Sequence, residues 1–217
     1  MTHTLHRSGN IESLRGDYVW LMYQAKGIND KNIKEKAKEF IAVAEVVGSE
    51  NWGDVKSGPK VCLPVEEIKS KIGDQSRLRG VFTRKEQVVQ FLRMIKEKEL
   101  GISVIISGLL KETLEACKEA DVTPHTINFS LGVWGKKKLL PSEEVLSITT
   151  MCGHHMVPSE LVKETMERVK AGKISPEKAG LELAQYCPCG IFNQVRASKI
   201  LADCLPPKKI NDHLPNF

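Results

Sequence analysis

The sequence lacks the long hydrophobic segments of membrane and secreted proteins. No apolar run reaches the about 18 residues that a transmembrane helix requires, and the polar N-terminus has no hydrophobic core of a secretory signal. Aromatic residues make up only 6% of the chain and are not interleaved with basic residues, as they are in nucleic-acid-binding modules. These absences predict a cytoplasmic protein that contacts neither a membrane nor nucleic acid.

Several familiar ligand-binding motifs are also missing. There is no Walker loop and no Gly-x-Gly-x-x-Gly fingerprint. No two cysteines have the spacing of two to four residues that zinc modules use. The net charge of +5 is spread over 217 residues and favours anionic small ligands only slightly.

The first 135 residues alternate between strand and helix patterns. Apolar or β-branched runs predict strands at 18–23, 78–82, 102–106 and 126–131, with helical patterns between them. Residues 49–77 are broken by Gly and Pro, and predict a long excursion with one short helix at 65–72. The order βαβαβαβ predicts an α/β domain over residues 1–135 with a mainly parallel sheet that binds the substrate.

Residues 142–207 show helical patterns only and predict a small all-helical C-terminal domain. Residues 132–141 form the linker before it, and residues 208–217 form a tail. Ser175 followed by Pro176 is a strong helix start, and Asn193 is suited to cap the last helix. The pattern predicts four short helices that pack as a bundle.

Four of the six cysteines lie in this helical segment. Cys152 begins the motif Cys-Gly-His-His, and Cys187 and Cys189 belong to the motif Cys-Pro-Cys-Gly. Both motifs occupy predicted corners between helices, and alternate corners of a bundle meet at the same end. We therefore expect the two motifs to form one metal site. Cys204, at the end of the fourth helix, joins them only if that helix is short or tilted.

Thiolates bind both iron–sulfur clusters and zinc. A [4Fe–4S] cluster accepts irregular cysteine spacing, so the sequence favours it, with Cys152, Cys187 and Cys189 as ligands and an iron left open, capped by histidine or bound by Cys204. The alternative is zinc, bound by the same three cysteines and one histidine. Adjacent residues at a turn point in different directions, so one of His154 and His155 is expected to be the ligand and the other a proton donor or acceptor. The alternative is that at least one of them only caps a helix end.

Substrate-binding candidates follow the ends of the predicted strands. Arg84, Ser107 and Gly108 lie where α/β sheets bind ligands, although Ser107 also suits simple helix capping. Arg196, one turn into the last helix, suits a cluster, an anionic substrate or a salt bridge. His3 and His6 reach the site only if the N-terminal segment folds across the helices, and a mobile terminus is the simpler expectation.

The function favoured by these patterns is an iron–sulfur enzyme of anaerobic metabolism. It would be an oxidoreductase or lyase that carries out a reduction, an elimination or a sulfur transfer on a small anionic substrate. A first alternative is a non-enzymatic zinc or iron–sulfur module with a structural, sensory, maturation or electron-transfer role beside a redox partner protein. Two others are disulfide chemistry between Cys187 and Cys189 and an interaction protein whose cysteines are only buried.

Overall fold

The computed structural model describes residues 4–205, and a central antiparallel sheet organises them. Within these residues the sheet has five strands in the order β3-β2-β4-β1-β5. The strands are β1 (Tyr18–Tyr23), β2 (Asn51–Asp54), β3 (Gly58–Pro59), β4 (Arg79–Phe82) and β5 (Ser103–Ser107). The helices are α1 (Ile11–Leu14), α2 (Ile33–Val46), α3 (Val65–Ser70), α4 (Lys85–Glu97), α5 (Leu110–Glu119), α6 (Glu143–Thr149), α7 (Ser159–Lys170), α8 (Pro176–Ala184) and α9 (Gln194–Asp203). No helix in this part of the chain is both long and apolar enough to cross a membrane.

The prediction of a mainly parallel βαβαβαβ sheet is wrong, because every strand pairing in residues 4–205 is antiparallel. Strand β2 lies in the segment that was predicted to be an excursion. Its sequence Asn-Trp-Gly-Asp has no hydrophobic run and therefore no strand signal of its own. Residues 126–131, predicted to be a fourth parallel strand, form no strand in the structure.

The strand order explains how βαβ connections produce an antiparallel sheet. Strands β1 and β2 run in the same direction and are joined through α2, but β4 is inserted between them and is antiparallel to both. Strands β4 and β5 are joined through α4 in the same way, with β1 between them. Two interleaved βαβ units of this kind form the split βαβ arrangement of ferredoxin-like folds.

The C-terminal segment is helical, and two of its predicted caps are present. The Ser175 side chain accepts a hydrogen bond from the Lys178 backbone N–H at the start of α8. The Asn193 side chain accepts one from the Arg196 backbone N–H at the start of α9. Each cap satisfies an N–H group that has no partner within its helix.

One face of the sheet is covered by α2, α4 and α5. Trp20 from β1 lies under an aromatic cluster in which the Phe91 ring centroid is 5.3 Å from that of Phe40 and 5.2 Å from that of Phe82. All four side chains are fully buried. The Trp20 indole N–H is satisfied by the Ser49 hydroxyl at 2.9 Å, so the cluster buries no unpaired polar group at this point.

The opposite face of the sheet supports the C-terminal helices. Side chains alternate along a strand, and Val19, Leu21 and Val81 point away from the aromatic cluster into a second core. That core also contains the buried side chains of α6 to α9, together with Cys152, Cys187 and Cys189. The cysteine corners therefore pack against this face of the sheet.

Phe91→Ala should lower the free energy of unfolding by about 3–5 kcal/mol, because it opens a cavity among three aromatic rings. Val46→Ala on α2 is the control, since Val46 is 69% exposed and should change stability little. Chemical denaturation followed by far-ultraviolet circular dichroism measures both. Equal stability of the two variants would contradict the described core.

Candidate functional site

The structure brings the two cysteine corners together. Cys152 lies in the turn after α6, and Cys187 and Cys189 lie in the turn after α8; all three are fully buried. The Cys187 and Cys189 sulfur atoms are 3.9 Å apart, and Cys152 lies close enough to Cys187 for each thiol to shift the pKa of the other. The His154 Nδ1 atom lies 3.6 Å from the Cys189 sulfur. Four of the predicted site residues thus form one cluster, called the thiol cluster below.

The thiol cluster is seated directly on the backbone of β2. Gly190 has a φ of +77°, and a Cβ atom at this position would lie 2.3 Å from the Trp52 carbonyl carbon and 2.5 Å from the Gly53 nitrogen. Only glycine permits both this backbone conformation and this approach. The corner that carries Cys187 and Cys189 is therefore held against the strand that the sequence pattern missed.

Backbone N–H groups and nearby cations favour negative charge on two of the sulfurs. The hydrogen bond from Cys187 lowers the pKa of Cys189 to about 5, with further contributions from the Ile191 N–H, Arg79 and His154. The hydrogen bond with Cys187 lowers the pKa of Cys152 to about 6, and the backbone N–H groups of Met156 and His154 assist.

Cys187 has the opposite tendency. Its hydrogen bonds to Cys152 and Cys189, together with its burial, raise its pKa and keep it a thiol. Two thiolates around one shared thiol is thus the arrangement that these contacts favour. The Arg79 guanidinium, at the start of β4, extends the cationic side of the cluster because its Nη1 is 3.4 Å from His154 Nε2.

A buried ionic network joins the cysteine corners to the N-terminal segment. The Arg7 guanidinium donates to the carbonyl of Met151 at 3.0 Å and to that of Ile191, the neighbours of the two corners. It also pairs with both oxygens of the fully buried Asp17 carboxylate, at 2.5 and 2.6 Å. Asn193 Nδ2 donates to the same carboxylate at 3.0 Å.

Arg196, a predicted substrate-binding residue, belongs to this network. Its side chain is 2% exposed, and its Nη1 pairs with Asp17 at 2.9 Å. It also donates to the Ser13 hydroxyl at 2.9 Å and to the Ser8 carbonyl. Burial lowers the pKa of Arg196, and Asp17 counters that effect. We call Arg7, Asp17, Asn193 and Arg196 the Asp17 network.

The other predicted substrate-binding residues lie apart from the thiol cluster. Ser107 is hydrogen-bonded to the Thr4 hydroxyl at 2.7 Å, and Gly108 packs against the Tyr18 ring. Arg84 is exposed at the start of α4. Arg84 and Gly108 follow the ends of β4 and β5, and Ser107 is the last residue of β5. Arg79, which contacts His154, is by contrast the first residue of β4.

The remaining cysteines do not join the thiol cluster. Cys204 donates to the Ile200 carbonyl within α9 and is close to Lys170 and Glu144. Cys117 is partly buried against the first core. Cys62 is exposed, with its sulfur 3.7 Å from the Gln185 carbonyl, close in the chain to Cys187.

The predicted histidines occupy different surroundings. His155 is exposed with a φ of +56°, and its N–H donates to the Cys152 carbonyl. His6 is exposed beside the Ser130 hydroxyl, 3.3 Å away, whereas the following Arg7 anchors the segment. His3 and the tail at 208–217 lie outside the described residues.

Sequence reasoning missed Arg7 and Asp17. The one local signal is a charged residue placed immediately before the buried strand β1, where an unpaired carboxylate would be costly. Their partners lie up to 184 residues away in the chain, so no spacing rule points to them. In residues 4–205, moreover, no three His, Cys, Asp or Glu side chains are arranged to hold a metal ion as they stand.

Asp17→Asn should lower the free energy of unfolding by about 3–5 kcal/mol, because it leaves two buried guanidinium groups without their carboxylate. Glu182→Gln is the control: it removes a carboxylate of similar chemistry from a surface pair with Arg168 and should have little effect. Urea denaturation compares the two. A small loss for Asp17→Asn would show that the network is dispensable.

The thiolate absorbance of the metal-free, reduced protein should rise in steps near pH 5 and pH 6, far below the ordinary thiol pKa of 9.0. Cys189→Ser should remove the lower step, because it removes the group with the most strongly lowered pKa. Cys117→Ser should leave both steps in place. Titration of all thiols above pH 8 would contradict the described hydrogen bonds.

The chain was also compared with known proteins. No family model, no curated protein and no solved structure matches it. The thiol cluster and the Asp17 network are therefore the basis for any statement about function.

Proposed function

We propose that the protein binds a metal centre through Cys152, Cys187 and Cys189, with His154 at a fourth position. The observation that carries the proposal is the convergence of three fully buried thiols from two chain corners. Burial alone disfavours a thiolate, so a site that favours two of them is suited to a cation. Thiolate and imidazole are also the ligands that zinc and iron accept most readily.

Two distances in the thiol cluster support a single four-coordinate ion over a larger cluster. Tetrahedral coordination with zinc–sulfur bonds of about 2.3 Å separates two sulfurs by about 3.8 Å, and a sulfur from a histidine nitrogen by about 3.6 Å. The corresponding distances in the thiol cluster are 3.9 Å for Cys187 to Cys189 and 3.6 Å for Cys189 to His154 Nδ1. Two of the six ligand–ligand distances of a tetrahedral site are thus already present in the thiol cluster.

Metal binding requires the cysteine sulfurs to be deprotonated. Cys187 keeps its proton beside Cys152 and Cys189. Metal binding would release the proton of Cys187 and draw the sulfurs around the cation. Three thiolates with one divalent ion and a neutral histidine have a net charge of −1, which the nearby Arg79 offsets.

The [4Fe–4S] cluster favoured by the sequence is the second form of this proposal. Thiolates on different irons are separated by the width of the cluster, so the corners would have to move apart. Such a cluster would use the same three cysteines and leave one iron for His154 or for a substrate. The short distance between Cys187 and Cys189 makes the single ion the better fit.

An enzymatic role, as an oxidoreductase or lyase, would use the fourth position. The three thiols are inaccessible, whereas His154 is exposed and His155 is exposed in the same turn. A small anionic ligand that displaces His154 would meet the Arg79 guanidinium. His155 would then be the available proton donor or acceptor.

A second candidate is thiol–disulfide exchange, which the low pKa of Cys189 favours. Because both sulfurs are fully buried, the Cys-Pro-Cys-Gly corner would first have to open. The Cys189 thiolate would then attack a disulfide of an oxidised partner and release one partner thiol, and Cys187, on losing its proton, would attack the Cys189 sulfur and release the second. The product would be a Cys187–Cys189 disulfide and a partner reduced by two electrons.

Metal and sulfide analysis of protein purified without oxygen tests the proposal. About one zinc or iron per chain without inorganic sulfide is expected for the single ion. Cys152→Ser, Cys187→Ser and Cys189→Ser should each lower metal affinity strongly. Cys117→Ser and Cys204→Ser are matched controls and should retain the metal.

Other results of the metal analysis would support the alternative functions. About four irons and four sulfides per chain would establish the cluster instead of the single ion. A metal-free protein that takes up no zinc or iron, yet forms a reversible disulfide lost in Cys189→Ser, would establish thiol–disulfide exchange. Undiminished metal binding in a variant that lacks all three cysteines would refute the site altogether.

A further inference from the structure

Residues 126–134 form an exposed apolar segment with the alternation of a β-strand. Ile127, Phe129, Leu131 and Val133 occupy every second position, and all four are exposed. Leu131 is 84% exposed, and the adjacent Trp134 is 81% exposed. An apolar segment of this size is rarely left in water by a protein that functions alone.

The sheet has an open edge that can accept such a segment. Strand β5 pairs with β1 on one side, and no strand of residues 4–205 pairs with its other side. Val104 and Ile106 are only partly buried against the first core, and Ile105 only partly against the second. An added strand would therefore complete both layers and satisfy the free backbone groups of the edge.

The helix beside this edge has a matching surface. Leu110 and Leu114 of α5 are exposed, and α5 also carries Glu112, Glu115 and Glu119. The basic run at 136–138 directly follows the exposed segment, and its three lysines are exposed. Segment and edge thus agree in apolar character, whereas the glutamates of α5 are already paired with Arg15, Lys85 and Lys111 of their own chain.

We propose that two copies of this chain associate by strand exchange, with residues 126–134 of each copy added to β5 of the other. Both the added strand and the edge that accepts it belong to every chain, which is the condition for a closed two-fold dimer. Because the surface lies apart from the thiol cluster, the dimer does not depend on the metal proposal.

Light scattering of the full chain over a range of concentrations, under reducing conditions that exclude intermolecular disulfides, tests the dimer. The wild type should dimerise, and Phe129→Asp with Leu131→Asp should raise the dimer dissociation constant at least tenfold. Ile28→Asp with Leu181→Asp is the control, since both residues are exposed and apolar but distant from the segment in sequence. Ser130→Pro, which blocks strand pairing without adding charge, should act like the first pair.

Hydrogen exchange locates the interface. The backbone amides of residues 104–107 that point away from β1 should exchange more slowly in the wild-type dimer than in the Phe129→Asp, Leu131→Asp variant, whereas those that pair with β1 should be little changed. A wild type that is monomeric at every concentration would overturn the proposal. So would a dimer that survives both sets of changes at 129–131, or one whose β5 amides exchange equally in wild type and variant.

Discussion

The buried carboxylate of Asp17 is the group on which the rest of the site depends. It pairs with Arg7 from the N-terminal segment and with Arg196 from α9, and it accepts from Asn193, the cap of that helix. A buried charge is tolerated only when its partners are present. The buried carboxylate is therefore stable only when the N-terminal segment and α9 both pack against the start of β1.

Arg7 connects the Asp17 carboxylate to the two cysteine corners. Its Nη1 pairs with Asp17, and its Nη2 donates to the carbonyls of Met151 and Ile191. The network therefore supports the position of the two cysteine corners.

The features that the sequence predicts correctly depend on residues that are close together in the chain. The cysteine corners follow from helix patterns, turn residues and the geometry of a bundle, and those corners do meet. Strand β2 has no apolar run, and the Asp17 network joins residues far apart in the chain, so neither leaves a local pattern. The strand pattern at 126–131 is strong, yet β-propensity alone forms no strand without a neighbour to pair with.

Strand β2, which the sequence pattern did not predict, also supports the site. Because β4 lies between β1 and β2, the sheet extends far enough to meet the Cys-Pro-Cys-Gly corner, and Gly190 rests on the backbone of Trp52 and Gly53. Cys187 and Cys189 are thereby fixed to a rigid strand, whereas His154 lies in an exposed turn. In the proposed metal site, this difference would make His154, and not the buried sulfurs, the ligand that a substrate could displace.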